Sequence, residues 1–317
     1  ISITNQNPTL INSTNQVQNP INQILSIGDY VTASISDGTI ALNQNHGNTV
    51  INLGKSNYWQ INWSGNGSYI GVKIGKQLIY LKYGSLELFA MPIIKNQPTS
   101  IQIEAVTNLS LHDQYLLGVG EVSNGWLPAA VQAQSIASRT YAYKRAFKLK
   151  PECQCNLYSS KYDQSYVGYS KEIMFWGDQY KQDVLATDSS PNEGLMITYK
   201  HQPIDVYFFS SDGGITQNAK DVWGKAAPYL VNVIDSYSLD DHLNPGYAHW
   251  SRTYTQAQVS TWLNISNIIQ LKAGPKSQAG ANKSIMVFTQ DGSKKVIDIS
   301  EFKSKVLLPS SWFTISQ

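Results

Sequence analysis

Apolar and polar residues alternate in short runs through the first third of the chain. Between about positions 24 and 103 these runs are SIGDYVTASIS, TIALNQ, TVINLG, YWQINWS, YIGVKIG and QLIYLKYG. A period of two places successive side chains on opposite faces, as in a half-buried β-strand. The segments SDGT and GNGS contain Gly, Asn and Asp, which accept the backbone conformations of tight turns. The pattern therefore predicts an antiparallel sheet domain over residues 24–105.

A helical pattern follows Trp126. Pro128 suits a first helical turn, and no breaker interrupts AAVQAQSIASRTYAYKRAFKLK before Pro151. The alanines in this run permit close packing, so we expect the helix to be buried along most of its face. Arg139 lies within the small-residue stretch. A charge in such a place requires a carboxylate or a bound anion as its partner.

The rest of the chain gives weaker patterns. Residues 156–190 are irregular and aromatic, LMITYKHQPIDVYFFSS predicts a hairpin around KHQP, and a helix is expected near Thr255–Trp262. The stretch KSIMVFTQDGSKKVIDIS predicts two strands that turn at Asp291-Gly292. The fold class expected from these patterns is α+β: an antiparallel β-rich N-terminal part, a central α/β core with one buried Ala-rich helix, and C-terminal strands. The predicted domains are a flexible polar segment 1–23, the β-rich domain 24–105 and a core 106–317.

Composition narrows the classes of partner. Hydrophobic residues make up 42% of the 317 residues and charged residues only 15%, and the formal net charge is +2. Because Lys and Arg are scattered, there is no electrostatic case for nucleic acid, and an uncharged or weakly charged partner is favoured. No apolar run approaches the ~18 residues that cross a bilayer, so no transmembrane segment is expected. The polar opening, without a leader pattern, is typical of a mature exported protein or of a shortened chain.

The two cysteines, Cys153 and Cys155, are separated by one residue. That spacing strains a mutual disulfide and does not resemble a secreted disulfide framework. Plain thiols, an unusual local disulfide and half of a zinc site remain the alternatives. None of the five histidines lies near in sequence. We therefore expect no metal or other cofactor.

Two short stretches are candidates for chemistry. In YLLGVGEVSNGW, Glu121 is a lone carboxylate between an apolar run and a polar turn. It is either a surface residue at a helix boundary or a catalytic acid in an apolar cleft. In SSDGG the glycines either serve a tight turn or let a ligand approach backbone N–H groups closely. The chain has no GxSxG elbow and no Walker or dinucleotide motif, while its tyrosines and tryptophans either line a sugar groove or form the core.

Taken in order, the motifs resemble those of the SpoIID/LytB family of bacterial cell-wall proteins. The first block is NLSLHDQYLLGVGEVSNGW followed by AVQAQSIASRTYAY, and the second is DQSYVG, with Gln164, Tyr166 and Gly168. The third is SSDGGITQNAKDVWGKAAPYL, and the ending LLPSSWFTIS is similar to a terminal strand of the family. The resemblance extends from about Ile24 to the C-terminus. It departs from the family pattern at Val122-Ser123, where Met-Pro is usual.

The resemblance implies a lytic transglycosylase that acts on peptidoglycan glycan strands, preferably strands stripped of peptides. Glycosidases that use two carboxylates need a second acid as base or nucleophile. A lytic transglycosylase does not, because a hydroxyl of the muramic acid attacks the anomeric carbon and closes an anhydro ring. One glutamate then serves as acid and base, which is compatible with the isolation of Glu121.

The family motif therefore makes Glu121 the expected general acid/base. The expected substrate-binding or positioning residues are Arg139, Gln134, Gln164, Tyr166, Ser210, Ser211, Asp212, Gly213, Gly214 and Trp223. For Arg139 and Trp223 a purely structural role is the alternative.

Other functions stay open beside this one. The protein is alternatively a non-catalytic module that binds wall glycan or enhances a cell-wall amidase, or a scaffold in a wall complex. The expected partners are glycan strands and a cell-wall amidase. The expected location is the periplasm or another part of the cell envelope, after export.

Overall fold

The structure is a computed structural model that describes residues 69–74, 77–94, 97–190 and 193–316, together with the early strands 16–17, 31–36, 39–44, 50–55 and 58–61. Two compact units divide between Tyr207 and Phe208. The predicted flexible segment 1–23 lies outside the described residues apart from strand 16–17, and so do most residues of the SDGT and GNGS turns. Among the described helices, none combines the length and apolar character that a bilayer crossing requires.

The first unit begins with two β-sheets. Their strands are β1 Gln16–Val17, β2 Val31–Ser36, β3 Thr39–Gln44, β4 Val50–Lys55, β5 Tyr58–Ile61, β6 Ile70–Ile74, β7 Gln77–Leu81, β8 Ser85–Ile94 and β9 Gln97–Asn108. The strand orders are β1-β5-β8-β9 and β4-β3-β2-β6-β7. Most pairs are antiparallel, as predicted, but β1 with β5 and β2 with β6 are parallel. Alternation along a strand cannot reveal this, because the side-chain period is the same in both arrangements.

A helical layer follows β9. Its elements are a π-helical turn Leu111–Tyr115, a 3-10 turn Leu116–Gly118, and the α-helices α1 Pro128–Arg145, α2 Ser170–Ile173 and α3 Gly177–Leu185. Helix α1 begins at Pro128 as predicted, yet Ala130 and Ala133 are exposed, so it is less buried than expected. Its buried stripe includes Val131 and Ala142, which join a core that reaches strand β8 through Leu88.

Four short strands complete the first unit: β10 Asp188–Ser190, β11 Glu193–Gly194, β12 Thr198–Tyr199 and β13 Gln202–Pro203. The predicted hairpin around KHQP corresponds to β12 and β13, although each strand has only two residues. Lys200 and His201 form the turn with φ values of 50° and 61°. Two successive residues with positive φ match the twist of a two-residue hairpin.

The second unit contains a three-stranded sheet and small helices. Its elements are α4 Ala219–Trp223, a 3-10 turn Ser236–Leu239, α5 Gln256–Leu263, β14 Ile268–Ala273, β15 Ser284–Thr289, β16 Lys294–Asp298 and α6 Ile299–Val306. The predicted helix is α5, where Thr255 and Gln258 form a reciprocal capping box. The predicted hairpin is β15–β16, with Gly292 at φ 82° in its turn.

The expected terminal strand in LLPSSWFTIS does not form, since residues 308–316 contain no strand. The amide Nδ2 of Asn282 donates to the carbonyls of Ser311 and Phe313, at 3.1 and 2.9 Å. The N–H of Asn282 also donates to the carbonyl of Ser311, at 2.9 Å, so Asn282 holds this segment in place without a strand ladder.

Candidate functional site

Glu121 lies at the end of a short pairing between residues 118–120 and 165–167. The N–H of Gly120 donates to the carbonyl of Ser165, and the N–H of Val167 donates to the carbonyl of Gly118, both at 2.8 Å. This pairing brings the N–H of Ser165 within 2.5 Å of Glu121 Oε1, to which it donates. The Glu121 side chain is only half-buried. A carboxylate with one oxygen held by the backbone is thus oriented and still accessible.

Glycine is required where the two segments cross Tyr166. A Cβ on Gly118 would lie 2.4 Å from Cε2 of Tyr166, closer than atoms approach without displacement. Tyr166 stacks in parallel on Tyr115, with ring centroids 5.6 Å apart. Gly168 has φ 63°, and a Cβ there would lie 2.2 Å from the carbonyl oxygen of Tyr80. The glycines of GVG and YVG therefore let the Glu121 segment sit directly on a buried tyrosine pair.

Gln164 and Tyr166 lie beneath Glu121 and not at the surface. Gln164 is fully buried, and its Oε1 accepts a hydrogen bond of 2.9 Å from the hydroxyl of Tyr115. Burial is the main cause that raises the pKa of Tyr115 well above its usual value, and the charge of Glu121 adds to it. Gln164 and Tyr166 flank Ser165, the residue whose N–H holds Glu121. Their burial favours a role in orienting Glu121; direct contact with a sugar stays a prediction.

A buried lysine holds the loop that follows Glu121. Nζ of Lys171 donates to the carbonyl of Val122 at 2.7 Å and lies 4.0 Å from the ring centroid of Tyr180. Burial lowers the pKa of Lys171 from 10.5 to about 8. The hydroxyl of Tyr180 bonds in turn to the carbonyls of Leu116 and Val119, at 3.0 and 2.8 Å. The backbone on both sides of Glu121 is therefore fastened to helices α2 and α3.

Asn124 provides a second fastening of the same loop. Its buried Nδ2 donates to the carbonyl of Lys171 at 2.8 Å and to that of Phe175 at 3.2 Å. Sequence reasoning missed both Lys171 and Asn124. A lysine and an asparagine look like surface residues in a sequence, and only the fold shows that they are buried.

Arg139 pairs with an acid. Its Nη2 donates to Asp188 Oδ1 at 2.7 Å and to Thr187 Oγ1 at 2.9 Å, while Nη1 donates to the carbonyl of Leu195 at 2.9 Å. A Cβ on Gly194 would lie 2.4 Å from Nε, so this glycine admits the guanidinium. The pairing with an acid that was considered for Arg139 is thus present, and a part in positioning the sugar stays a prediction. Gln134 bonds within α1, from Nε2 to Ser138 Oγ at 3.1 Å.

The SSDGG turn belongs to the second unit. Asp212 is buried, and its Oδ1 accepts from the N–H of Gly214 at 2.7 Å, while Gly214 has φ 91°. A Cβ on Gly213 would lie 2.3 Å from the indole of Trp312. Ser211 Oγ accepts from Asn244 Nδ2 at 2.7 Å.

Gly214 is thus explained by its positive φ and Gly213 by the close approach of Trp312. Ser210 and Trp223 are exposed. That this turn and Trp223 border the glycan groove stays a prediction.

The two cysteines form the local disulfide, one of the three alternatives considered. Cys153 and Cys155 are bonded, buried, and packed with Phe89 and Val106. A disulfide leaves no thiolate to serve as a zinc ligand. Within the described part of the chain, no cluster of three or more His, Cys, Asp or Glu residues is arranged to hold a metal ion.

These observations define an α+β protein whose first unit presents Glu121 as an oriented and accessible carboxylate on a fastened loop. Residues 100–199 match the model of the SpoIID family, described as Stage II sporulation protein. The resemblance to the SpoIID/LytB family is confirmed for this region.

Three relatives match longer stretches of the chain than the family model does. Stage II sporulation protein D of Bacillus amyloliquefaciens is 27% identical over 187 residues, covering 56% of this chain and 53% of the relative. Its namesake in Bacillus subtilis (strain 168) is 27% identical over 183 residues, covering 54% and 52%. An Amidase enhancer of the same strain is 26% identical over 141 residues, covering 44% of this chain and 17% of the relative. The chain thus spans about half the length of the sporulation relatives.

Proposed function

We propose that this protein is a peptidoglycan lytic transglycosylase that cleaves glycan strands with Glu121 as its general acid and base. The observation that carries the proposal is the hydrogen bond from the N–H of Ser165 to Glu121 Oε1, at 2.5 Å. It orients a half-buried carboxylate inside the region that matches the SpoIID family. A catalytic acid must be held in a fixed orientation, and this contact supports that role for Glu121.

The reaction needs one carboxyl group. Glu121 in its acid form donates a proton to the glycosidic oxygen, and the bond from that oxygen to the anomeric carbon of muramic acid breaks. A hydroxyl of the same muramic acid attacks the anomeric carbon, and Glu121, now a carboxylate, accepts the hydroxyl proton. The products are an anhydro-muramyl end and a free hydroxyl on the departing sugar. No water is consumed, and Glu121 returns to its acid form.

Two nearby acids are already engaged, which supports a single-carboxylate mechanism. Asp163 accepts from the hydroxyl of Tyr141 at 2.9 Å and pairs with Lys150. Glu172 Oε2 accepts from the hydroxyl of Tyr83 and from Lys181, each at 2.9 Å. Two-carboxylate glycosidases need a second carboxyl group facing the scissile bond. Asp163 and Glu172 are committed to structural contacts instead.

Digestion of purified peptidoglycan tests the proposal. Intact and peptide-stripped material is incubated with the native protein, with Glu121→Gln and with Glu193→Gln, a matched control on an exposed glutamate of the same unit. Mass spectrometry should detect anhydro-muramyl ends with the native protein and the control, and none above background with Glu121→Gln. If the native protein gives no such ends where a known lytic enzyme does, the proposal is wrong.

The match to an Amidase enhancer favours a second candidate function, a non-catalytic role. In that case the protein binds wall glycan and stimulates a separate cell-wall amidase. The discriminating measurement is release of peptides by an amidase with and without this protein. Stimulation that is equal for the native protein and Glu121→Gln, without anhydro ends from either, would establish the enhancer function. Both candidates place the protein in the cell envelope after export.

A further inference from the structure

Three exposed aromatic side chains lie together beside the Glu121 loop. Trp126, Phe175 and Trp176 are 51%, 81% and 57% exposed, and we call them the aromatic platform. The rings of Phe175 and Trp176 meet edge to face, with centroids 5.0 Å apart. A Cβ on Gly125 would lie 3.1 Å from Cδ1 of Trp176, so the backbone next to Trp126 rests against that indole. The platform is therefore one surface built from two loops.

Two features of this surface are energetically unfavourable. Trp176 has φ 63°, a left-handed conformation that costs a bulky residue ~1–3 kcal/mol. The three rings also remain in water, although large apolar groups are normally buried. Strained backbone and clustered exposed aromatics both occur preferentially at binding sites. This combination points to a ligand that covers the rings.

The platform has a fixed position relative to Glu121. Asn124 Nδ2 donates to the carbonyls of Lys171 and Phe175, at 2.8 and 3.2 Å, and this joins the loop that carries Trp126 to the one that carries Phe175. The five chain steps from Glu121 to Trp126 span at most ~18 Å even when fully extended. A chain-like ligand with one bond at Glu121 therefore has its neighbouring units within reach of the platform.

A polar groove adjoins the rings. It has a volume of about 640 Å³, and besides Phe175 and Trp176 it is lined by Asp178, Gln179 and Gln182. Pyranose rings have an apolar face and a rim of hydroxyl groups. Flat aromatic rings beside amide and carboxylate groups complement both parts, because the rings stack on the face while the polar groups bond to the rim.

We infer that the aromatic platform is a sugar-binding subsite, on which a pyranose ring of the glycan strand stacks beyond the bond presented to Glu121. This inference rests on the proposed function for the identity of the ligand. It goes further in assigning a second binding position, set by side chains that take no part in proton transfer.

The experiment measures binding separately from cleavage. All variants carry Glu121→Gln, so that the probe, peptide-stripped glycan strands, is not consumed. Phe175→Ala/Trp176→Ala is compared with Tyr143→Ala/Phe147→Ala, which removes another edge-to-face pair, with centroids 5.3 Å apart, from the same unit. The single variant Phe175→Ala, at the most exposed ring, guards against misfolding, and thermal melting checks that each protein is folded.

We expect the platform variant to bind glycan strands about tenfold more weakly and Phe175→Ala at least about threefold more weakly, with less than a twofold change in the control pair. Equal binding by folded platform and control variants would overturn the inference, as would no binding by the Glu121→Gln parent. The anhydro-end assay judges the proposed function independently. A protein that binds through the platform but releases no anhydro ends would retain the subsite and lose the transglycosylase assignment.

Discussion

Replacing Lys171 by methionine separates the two consequences of burying a lysine beside the candidate site. The pKa of Lys171 falls from 10.5 to about 8 on burial. That shift corresponds to at most ~3 kcal/mol against the charged form at neutral pH, and partial solvent access reduces the figure to ~1–2 kcal/mol. Methionine removes this cost, but it also leaves the carbonyl of Val122 without its donor, which costs ~1–2 kcal/mol. We expect the free energy of unfolding at pH 7 to change by less than ~1 kcal/mol.

The pH dependence gives the sharper signature. Between pH values of about 8 and 10.5, folded Lys171 is neutral while the unfolded lysine is still charged. The unfolded state then binds more protons, so this residue makes the native protein more stable as pH rises through that interval. The difference in unfolding free energy, native minus Lys171→Met, should increase by ~1–2 kcal/mol across it. Urea denaturation followed by tryptophan fluorescence measures this difference at each pH.

Lys181→Met is the matched control because the contribution of Lys181 to stability should change with pH in the opposite direction. Its ion pair and hydrogen bond with Glu172 raise the pKa of Lys181 against the effect of burial. Stability from such a group is present at neutral pH and is lost as pH rises through the folded pKa. A native-minus-Lys171→Met difference that stays flat or falls with pH would refute the burial argument.

Release of anhydro-muramyl ends should also drop about tenfold in Lys171→Met, because the loop that carries Glu121 loses a fastening.

Two further substitutions test the contacts around the site. Gly118→Ala should lower the free energy of unfolding by ~1–3 kcal/mol, because the new Cβ meets the ring of Tyr166, and urea denaturation should show a smaller cost in a Tyr166→Ala background. Asp188→Asn should destabilise by ~2–4 kcal/mol, since it leaves the buried guanidinium of Arg139 without its counter-charge. If Arg139 is structural, the folded Asp188→Asn protein should release anhydro ends within about twofold of the native rate; a large loss of kcat without loss of stability would contradict this.

The strands and the long helix were predictable from sequence because their signals are local. Alternation marked β2 to β7, Pro128 marked the start of α1, and the Asp291-Gly292 pair marked the β15–β16 turn. Helix α3 was missed because it begins at Gly177, directly after Trp176 in a left-handed conformation. Neither residue belongs to the usual start signals of a helix. Strand β14 and helix α6 were also missed. Both pack in the hydrophobic core of the second unit, which the sequence does not reveal.

The candidate site was predictable only in part, for a similar reason. A motif located Glu121, and the same motif carried Gln164 and Tyr166, which the fold brings beneath it. The groups that fasten the loop, Lys171 and Asn124, act through contacts 47 to 51 residues apart in sequence. Contacts at that separation leave no periodicity or spacing to detect. Arg139 was recognised as a buried charge, whereas its partner Asp188 could be identified only from the tertiary structure.

The fastening contacts also bear on the departure from the family pattern at Val122-Ser123. Lys171 bonds to the carbonyl of residue 122, and the N–H of Trp126 donates to the carbonyl of residue 123. Every amino acid offers these two carbonyls, so neither contact depends on the side chains that differ from Met-Pro. The half-buried Val122 also packs against the core of the first unit. The backbone that orients Glu121 is therefore held by Lys171 and Asn124, and the replacement of Met-Pro leaves those contacts intact.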